Sequence, residues 1–377
     1  MKDLRTLKSG KAGSKFIGQL PKGCQLCYDG AKSVIFITGI CYEKCYYCPI
    51  SYSRRNKDVI FINDLKVESF EDILREIYDS KALGVSITGG EPLVVPGRVL
   101  LFIRKLKEIF GEEFHIHLYT IGKQLTKELI MNLYEAGLDE IRFHIVEYGL
   151  LKKVEYTVKH TNMDVGVEVP VVPGNTNFYK KLIIEAEKYG AKFVNLNELE
   201  ISEGNYRSLL ERGFKLKKGT IASVEGSEED ALKILKWAAE HTSNINVHYC
   251  SALYKDLVQT RVRLRRKALN TAKPYEEISH EGTILRGEIW ANVRFKDKVL
   301  KFLKKIPFDH KVNNSELVVF VPVSFLRNIV SCLRNEKVPF KALIVEEYPG
   351  KARIVKNVMP YHTWQDTLKE LSFLLRL

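Results

Sequence analysis

The sequence predicts an α/β fold, namely a partial (β/α)6 TIM-like barrel followed by a small α+β domain. From Val34 onward, short runs rich in β-branched and aromatic residues alternate with stretches whose apolar residues recur at helical spacing. Glycines stand where the helices of this region should stop, at Gly84, Gly111, Gly137 and Gly190. Because repeated strand–helix–strand units form parallel strands with right-handed crossovers, six such units make an incomplete barrel.

The predicted barrel consists of six strands and the helices between them. The strands are expected at residues 34–38, 84–88, 114–120, 140–145, 164–169 and 192–196. The helices are expected at residues 70–83, 98–110, 126–136 and 177–189. In such barrels the functional residues lie at the carboxyl ends of the strands, so the segments that follow residues 38, 88 and 120 should share one face.

Four regions follow from this pattern. They are a basic N-terminal extension with a CxxC motif (1–33), the barrel (34–200), a helical connection with Cys250 and an Arg-rich helix (201–280), and the α+β domain (281–377). In the last region we expect strands at 283–293 and 316–321, helices at 296–305 and 323–335, two strands around 348–350, and a closing helix from Thr363.

The formal net charge of +13 is concentrated in the flanks of the chain. Residues 1–23 carry six basic residues and one acidic residue, and residues 251–309 carry 14 and seven, whereas residues 24–250 carry 29 and 32. Clustered basic residues indicate a polyanionic partner, with nucleic acid first and an anionic membrane second. For the N-terminal run, a solvated surface of the kind found in thermophilic proteins explains the charge equally well.

No apolar run approaches the roughly 20 residues that cross a bilayer, and the N-terminus lacks the apolar core of a signal peptide. We therefore expect a cytoplasmic protein without a membrane partner. Five of the seven cysteines lie between residues 24 and 48. In a reducing compartment, such clustering indicates metal ligation or redox chemistry rather than disulfides.

The clustered cysteines allow two interpretations. Cys24-Gln-Leu-Cys27 and Cys45-Tyr-Tyr-Cys48 have the spacing of a four-thiolate zinc site, which would make the chain a zinc-ribbon nucleic-acid-binding module. Alternatively, Cys41, Cys45 and Cys48 hold three irons of a four-iron cluster and leave the fourth iron without a protein ligand. The proline after the last thiol, the aromatic pair inside the CxxC and the strand directly before the loop favour the cluster.

The cluster interpretation is supported by a resemblance. The CxxxCxxC spacing with Tyr47 before the last cysteine, and Gly89-Gly90-Glu91-Pro92 after the second strand, resemble the signatures of the radical S-adenosylmethionine (SAM) superfamily. The resemblance covers roughly residues 34–200, and the subgroup looks like a little-characterised, chiefly archaeal one related to pyruvate formate-lyase activating enzymes. It implies that the open iron of a [4Fe-4S] cluster binds SAM, whose reductive cleavage gives a 5′-deoxyadenosyl radical.

The resemblance also implies residues that bind SAM. Gly89 and Gly90 would let the strand-end backbone approach the ligand and accept from its ammonium group, while Glu91 would favour the positive charge. The ring of Tyr47 would pack on the adenine, and Thr120 would hydrogen-bond the ribose.

Other polar residues are expected near the barrel opening. Glu168 lies in a segment that resembles the fifth-strand region of glycyl-radical activases, which places it near the adenine or the substrate, although a buried strand end explains its valine neighbours equally well. Structural and functional roles remain open for polar residues that share strand faces or end the sixth strand, namely His115, His117, Arg142, His144, Asn195, Asn197 and Glu198.

A second group of cysteines and an Arg-rich segment lie outside these motifs. Cys24, Cys27 and the distant Cys250 are predicted to hold a second iron–sulfur cluster, with a zinc or redox pair of Cys24 and Cys27 alone as the alternative. Arg261 and Arg265 share one face of a predicted helix whose apolar residues, including Leu269, would bury another face. Because a guanidinium group can form bidentate hydrogen bonds with a phosphate, we expect the two arginines to contact substrate phosphates. The alternative is an ordinary exposed helix.

The charge distribution leads to an RNA substrate, most plausibly tRNA, with an electron donor such as ferredoxin or flavodoxin as a second partner. Two other enzymatic functions are compatible with the motifs. One is a protein activase that generates a glycyl radical, and the other is the modification of a phosphorylated or isoprenoid metabolite. The zinc-ribbon module is the remaining alternative, and it is not an enzyme.

Overall fold

The computed structural model describes residues 5–350 and 353–361, without the side chains of Asp256 and Leu257. The chain forms two compact units, Met1–Val262 and Arg263–Leu377. The division into four regions stays a prediction, and the closing helix expected from Thr363 lies outside the described residues.

The first unit is built on one large sheet. Its strands are β1 (Leu7–Ser9), β2 (Lys15–Ile17), β3 (Lys32–Phe36), β4 (Phe61–Ile62), β5 (Leu65–Lys66), β6 (Gly84–Thr88), β7 (His115–Thr120), β8 (Glu140–Phe143), β9 (Asp164–Val171), β10 (Phe193–Glu198) and β11 (Asn246–Cys250). Its helices are α1 (Lys22–Tyr28), α2 (Phe70–Ser80), α3 (Pro96–Phe110), α4 (Lys127–Glu135), α5 (Leu151–His160), α6 (Thr176–Lys188), α7 (Tyr206–Leu210), α8 (Ser227–His241) and α9 (Ala252–Tyr254). A further helix, α10 (Arg261–Thr271), follows a π-helical segment at Lys255–Thr260, and all but its first two residues belong to the second unit.

Seven parallel strands form the centre of this sheet, in the spatial order β11-β10-β9-β8-β7-β6-β3. The antiparallel hairpins β4–β5 and β1–β2 extend its two edges. The predicted α/β fold class is confirmed. Residues 246–250, expected to end a helical connection, instead form the seventh parallel strand, β11. Val247 and Tyr249 alternate with Asn246 and His248, as in a strand, but the segment is only five residues long and follows the long helix Ser227–His241.

The central strands bury two chemically different faces. Successive side chains of a strand point to opposite sides, and in each central strand one set is apolar, as in Ile116 and Leu118 of β7 or Val165 and Val167 of β9. These residues pack with the apolar faces of the surrounding helices in the main core. The alternate set includes a polar side chain from each parallel strand, buried or, for Glu168, partly exposed, namely Lys32, Ser86, His117, Arg142, Glu168, Asn195 and His248. The barrel interior is therefore a polar space lined by all seven parallel strands.

The N-terminal region enters this interior. Helix α1 contacts β3, β6 and β7, and the Gly23 backbone N–H donates to the buried Glu140 carboxylate at 3.1 Å. A Cβ at Gly23 would lie 2.4 Å from Nδ1 of His117, so only glycine allows the helix to approach the interior residues this closely. Cys24 and Cys27, which α1 carries, are thereby brought beside the polar interior.

The second unit is a small α+β domain with an antiparallel sheet in the order β14-β15-β13-β16-β17 and a short strand β12 paired with β13. Its elements are β12 (Glu277–Ile278), β13 (Ile284–Asn292), α11 (Lys296–Lys301), β14 (Asp309–Asn313), β15 (Glu316–Val321), α12 (Leu326–Asn335), β16 (Phe340–Glu347) and β17 (Val355–Pro360). Strand β14 was not among the expected elements, because its residues are mostly exposed and polar.

Among the described residues, no helix is both long enough and apolar enough to cross a bilayer.

The start of β11 is held by one carboxylate. Glu187 Oε1, in α6, accepts hydrogen bonds from the backbone N–H groups of Ser243, Asn244 and Ile245 at 2.8, 2.6 and 3.1 Å. Burial alone would raise the pKa of Glu187, but these three donors outweigh burial and lower it below its usual value. The carboxylate therefore stabilises the folded state mainly in its ionised form.

We expect Glu187→Ala to lower the free energy of unfolding by about 1–2 kcal/mol at pH 7, because three backbone donors lose an ionised acceptor. The difference from wild type should shrink as the pH falls below about 4, since a carboxyl with a lowered folded pKa stabilises only above that range. Urea titrations followed by circular dichroism measure both effects. Glu187→Gln keeps an oxygen acceptor and should lose less; equal losses in the two variants would contradict this role.

Candidate active site

The cysteine triad lies in the loop between β3 and β4. Cys41, Cys45 and Cys48 are free thiols, each partly exposed, and all three line a cavity of about 820 Å³ at the carboxyl ends of the parallel strands. We call it the outer cavity. Its volume is within the range of roughly 300–1,000 Å³ that is usual for small-molecule sites.

The loop is attached to the end of β6 by backbone hydrogen bonds. The N–H of Gly90 donates to the Thr38 carbonyl and that of Glu91 to the Ile40 carbonyl, both at 2.8 Å. A Cβ would lie 2.3 Å from the Thr38 oxygen at Gly89 and 2.4 Å from the Ile40 oxygen at Gly90, and Gly89 has φ of +154°. The structure thus gives the two glycines a reason that the sequence did not reveal, which is close approach to the cysteine loop itself.

Glu91 connects the ends of two strands. Its carboxylate is 1% exposed and accepts from the Thr120 hydroxyl, the Ile121 N–H and the Leu93 N–H at 2.7, 2.7 and 3.0 Å. Burial raises the pKa of Glu91, although these hydrogen bonds act in the opposite direction. The Thr120 hydroxyl also accepts from the Gly122 N–H at 2.9 Å. Both residues line the outer cavity, but their side chains are used within the protein, and their contacts with SAM stay predictions.

Tyr47 is oriented by a histidine. Its hydroxyl lies 3.1 Å from Nε2 of His144, whose Nδ1 lies 3.2 Å from the Glu168 carbonyl oxygen. Because the carbonyl only accepts, His144 carries its proton on Nδ1 and accepts from Tyr47 at Nε2. Burial lowers the pKa of His144, so this neutral form is maintained. The Tyr47 ring therefore has a fixed position on the wall of the outer cavity.

Glu168 belongs to a buried ionic network. Its carboxylate binds Arg142 at 2.7 Å and the amide groups of Asn195 and Asn197 at 2.8 and 2.9 Å. Burial alone would raise the pKa of Glu168, but Arg142 and the two amides lower it below its usual value. Arg142 also pairs with Glu140. Burial alone would raise the pKa of Glu140, but the arginine holds it well below its usual value. Glu168 is thus an ionised group that lines the outer cavity.

The loop is also held by a segment that the sequence analysis did not single out. The Asn205 side-chain amide donates to the Tyr47 carbonyl at 3.0 Å, and the Ser208 hydroxyl donates to the Tyr46 carbonyl. Arg55 donates to the carbonyls of Cys48 and Gly204, both at 2.8 Å. The contacts of Asn205, Ser208 and Gly204 join residues about 150 positions apart, so no local sequence pattern predicts them.

The other three predicted metal ligands line a separate, smaller cavity. Cys24, Cys27 and Cys250 surround a space of about 120 Å³ in the barrel interior, which we call the inner cavity. Burial raises the pKa of all three thiols, that of Cys24 to about 12. The outer and inner cavities share wall residues, namely Tyr119, Glu168, Asn197 and Lys255.

The zinc-ribbon alternative is wrong, because Cys24 and Cys27 line the inner cavity whereas Cys45 and Cys48 line the outer one. Throughout residues 5–350 and 353–361, just one group of three candidate ligand atoms lies within 4.8 Å of one another, and it contains no cysteine. Thiolates that share one zinc ion would lie closer than this, since each is about 2.3 Å from the metal.

The Arg-rich segment forms α10, as expected, but its packing differs from the prediction. Arg261 is half-buried and Arg265 is exposed, four positions apart on the same helix. The buried residues of α10 are Arg263 and Ala268, while Leu269, expected to be buried, is exposed. This helix contains too few apolar residues to form a continuous apolar face. Contact of Arg261 and Arg265 with substrate phosphates stays a prediction.

Comparisons with known proteins agree with this geometry. The model of the radical SAM superfamily matches residues 35–148. A protein of Methanocaldococcus jannaschii, provisionally named as a glycyl-radical enzyme activating enzyme, is 39% identical over 369 residues, which cover 94% of this chain and 95% of the relative.

Two solved structures are similar over part of their length. Streptococcus suis SuiB bound to S-adenosylmethionine has a TM-score of 0.42 and 13% identity, over 67% of this chain and 59% of that one. Coproporphyrinogen III oxidase (HemN) from Escherichia coli, a radical SAM enzyme by its description, has a TM-score of 0.38 and 9% identity, over 83% and 93% of the two chains.

The chain belongs to the radical SAM superfamily, and it is an enzyme that uses a [4Fe-4S] cluster and SAM. Its residues fit these cofactors. Cys41, Cys45 and Cys48 are soft thiol ligands of the kind that iron–sulfur clusters require, and the cavity beside them has room for a small molecule.

The contact of Gly90 with the cysteine loop can be tested by substitution. In Gly90→Ala, the added methyl group would displace the Ile40 carbonyl and move the loop, because the gap of 2.4 Å is too short for a carbon atom. We expect anaerobically reconstituted protein to bind SAM roughly tenfold or more weakly and to hold less iron. Gly97→Ala is the control, since a Cβ there meets no atom within 4 Å. Unchanged SAM affinity in Gly90→Ala would refute this role of the glycine.

Proposed function

We propose that this radical SAM enzyme abstracts a hydrogen atom from a glycine of a protein partner, as a glycyl-radical activating enzyme does. The proposal is supported by the relative of that provisional name, which matches this chain over nearly its whole length. The net charge led us to expect an RNA substrate, but the residues that line the outer cavity support RNA less well than they support a protein substrate.

The observation that carries the proposal is the composition of the outer cavity. Its charged lining residues comprise six carboxylates and four basic side chains, namely Glu43, Glu91, Glu168, Glu198, Glu200, Glu211, Lys44, Arg55, Arg207 and Lys255. A site that admits a nucleic acid strand is expected to be predominantly basic, so that it can follow the phosphates. The outer cavity is not.

The mouth of the outer cavity also has the chemistry of a protein interface. Tyr42 and Tyr52 line it and are 71% and 53% exposed. Tyrosine is enriched where proteins bind one another, because it buries a large apolar ring and still offers a hydroxyl for hydrogen bonding. Two exposed tyrosines next to the cysteine loop are suited to hold a peptide segment at the opening.

When bound, the cluster supplies the electron that cleaves the sulfur–C5′ bond of SAM, and the resulting radical takes a hydrogen atom from the substrate. The chain's own residues position the reactants. Tyr47, fixed by His144, offers a flat ring on the cavity wall, and Glu168 offers a fixed negative charge. The loop carrying the thiols is held to the strand ends, so that the reacting groups meet in one geometry.

A second candidate, the modification of RNA, is favoured by one observation. Residues 251–309 carry twice as many basic as acidic residues, and Arg265 within them is exposed. Such a surface could bind phosphates away from the outer cavity.

Isotope transfer decides among the substrate classes. Reconstituted enzyme is incubated with SAM, a reductant and one of three deuterated pools. The pools are protein from cells grown on α-deuterated glycine, uniformly deuterated RNA, and deuterated small molecules. Deuterium in the 5′-deoxyadenosine product is then measured. We expect label from the protein pool, because the glycine Cα–H is the bond broken. Cys45→Ala, which lacks one cluster ligand, should form no 5′-deoxyadenosine. Label from RNA alone, or from small molecules alone, would overturn the activase proposal.

A further inference from the structure

The inner cavity has no role in the proposed function, yet its walls have the composition of a metal site. Cys24 and Cys27 come from α1, and Cys250 comes from the carboxyl end of β11. Segments more than 200 residues apart in sequence thus bring three thiols to one buried space. The fold builds this arrangement by inserting α1 into the barrel and by adding β11 as a seventh parallel strand.

Polar groups around this space lack protein partners. Both ring nitrogens of His248 and of His117 have no hydrogen-bond partner, although the two residues are only 2% and 3% exposed. Oδ1 of Asn195 is also without a partner. All three residues line the inner cavity. Because leaving a buried polar atom unpaired costs about 1–3 kcal/mol, these atoms indicate that something polar or metallic occupies the cavity.

Two donors already face the sulfur of Cys24. The Arg142 guanidinium lies 3.6 Å and the Asn195 amide 3.4 Å from Sγ. Hydrogen bonds of this kind accompany metal-bound thiolates and adjust their properties. His248 precedes Cys250 by two positions on β11, so both side chains point to the same side of the sheet and into the cavity.

The size of the inner cavity favours a cluster over a single ion. Its 120 Å³ is roughly ten times the volume that one water molecule needs, so one metal ion would leave most of the cavity empty. A single metal ion would need ligand atoms close together. No three ligand atoms of Cys24, Cys27, Cys250 and His248 lie within 4.8 Å of one another. Cys41, Cys45 and Cys48 in the outer cavity likewise do not lie within 4.8 Å of one another as a group.

In the described part of the chain, the one compact group of candidate ligands is His115, His117 and Glu140. A cation is disfavoured there, because the Lys32 ammonium group lies 2.8 Å from Nδ1 of His115 and Arg142 pairs with Glu140. Positive groups already occupy the positions from which these residues would bind a metal.

We propose that Cys24, Cys27 and Cys250 hold a second iron–sulfur cluster in the inner cavity, with the imidazole of His248 as its fourth ligand. The cluster lies behind Tyr119, Glu168, Asn197 and Lys255, which form the wall shared with the outer cavity. The proposal does not depend on the substrate, since it concerns the metal content of the chain alone.

The test begins with the full chain carrying Cys41→Ala, Cys45→Ala and Cys48→Ala, which removes the outer ligands. After anaerobic reconstitution, we expect about eight irons in wild type and about four in this triple variant, with cluster signals in Mössbauer spectra. A triple variant without metal, or with a single colourless zinc ion, would overturn the proposal. This result does not require any substitution in the buried cavity.

Two further substitutions in the triple variant then identify the ligands. Adding Cys250→Ala should remove the remaining iron, whereas adding Cys332→Ala should retain it, because Cys332 lies in α12 and lines neither cavity. Adding His248→Ala should change the electron paramagnetic resonance spectrum of the reduced cluster. Retention of iron after Cys250→Ala would show that the inner cavity is not the site. An unchanged spectrum after His248→Ala would exclude histidine as the fourth ligand.

Discussion

The active site depends on the contact between the cysteine loop and the end of β6. Two backbone hydrogen bonds, from Gly90 and Glu91 to the carbonyls of Thr38 and Ile40, form only because no Cβ separates the two segments. Glu91 then binds Thr120 and the adjacent N–H at the end of β7. The cysteine loop and two strand ends therefore form one connected unit. Positioning of this kind lets a cofactor with intrinsic reactivity act on one bond of one substrate.

The barrel interior obeys a second constraint, which is the cost of burying charge. Arg142 pairs with both Glu140 and Glu168, and two asparagine amides complete the shell of Glu168. A buried ion without such partners would be strongly destabilising. Two members of this network, Glu168 and Asn197, belong to the wall shared by the outer cavity and the inner cavity. The network thus fixes Glu168 on the wall of the outer cavity, and Arg142 donates to the sulfur of Cys24 in the inner cavity.

The sequence predicted what depends on short-range pattern. Apolar periodicity located the barrel strands, including Gly84–Thr88 to the residue. Cysteine spacing predicted a cluster loop, and its ligands stay a prediction. The uses of Glu91 and Asn205 could not be predicted, because their partners are distant in sequence. Strand β11 was missed because its alternating pattern covers only five residues. The net charge favoured RNA because it counts the whole chain, whereas carboxylates outnumber basic groups in the outer cavity.

The central claim is that the cluster held by Cys41, Cys45 and Cys48 leaves one iron free to bind SAM. Electron–nuclear double resonance of the reduced protein tests it directly, with SAM carrying 15N in its amino group and 17O in its carboxylate. We predict hyperfine couplings from both labels, absent with unlabelled SAM, because both groups would bind the open iron. A reduced four-iron cluster that shows neither coupling under saturating SAM would contradict the account.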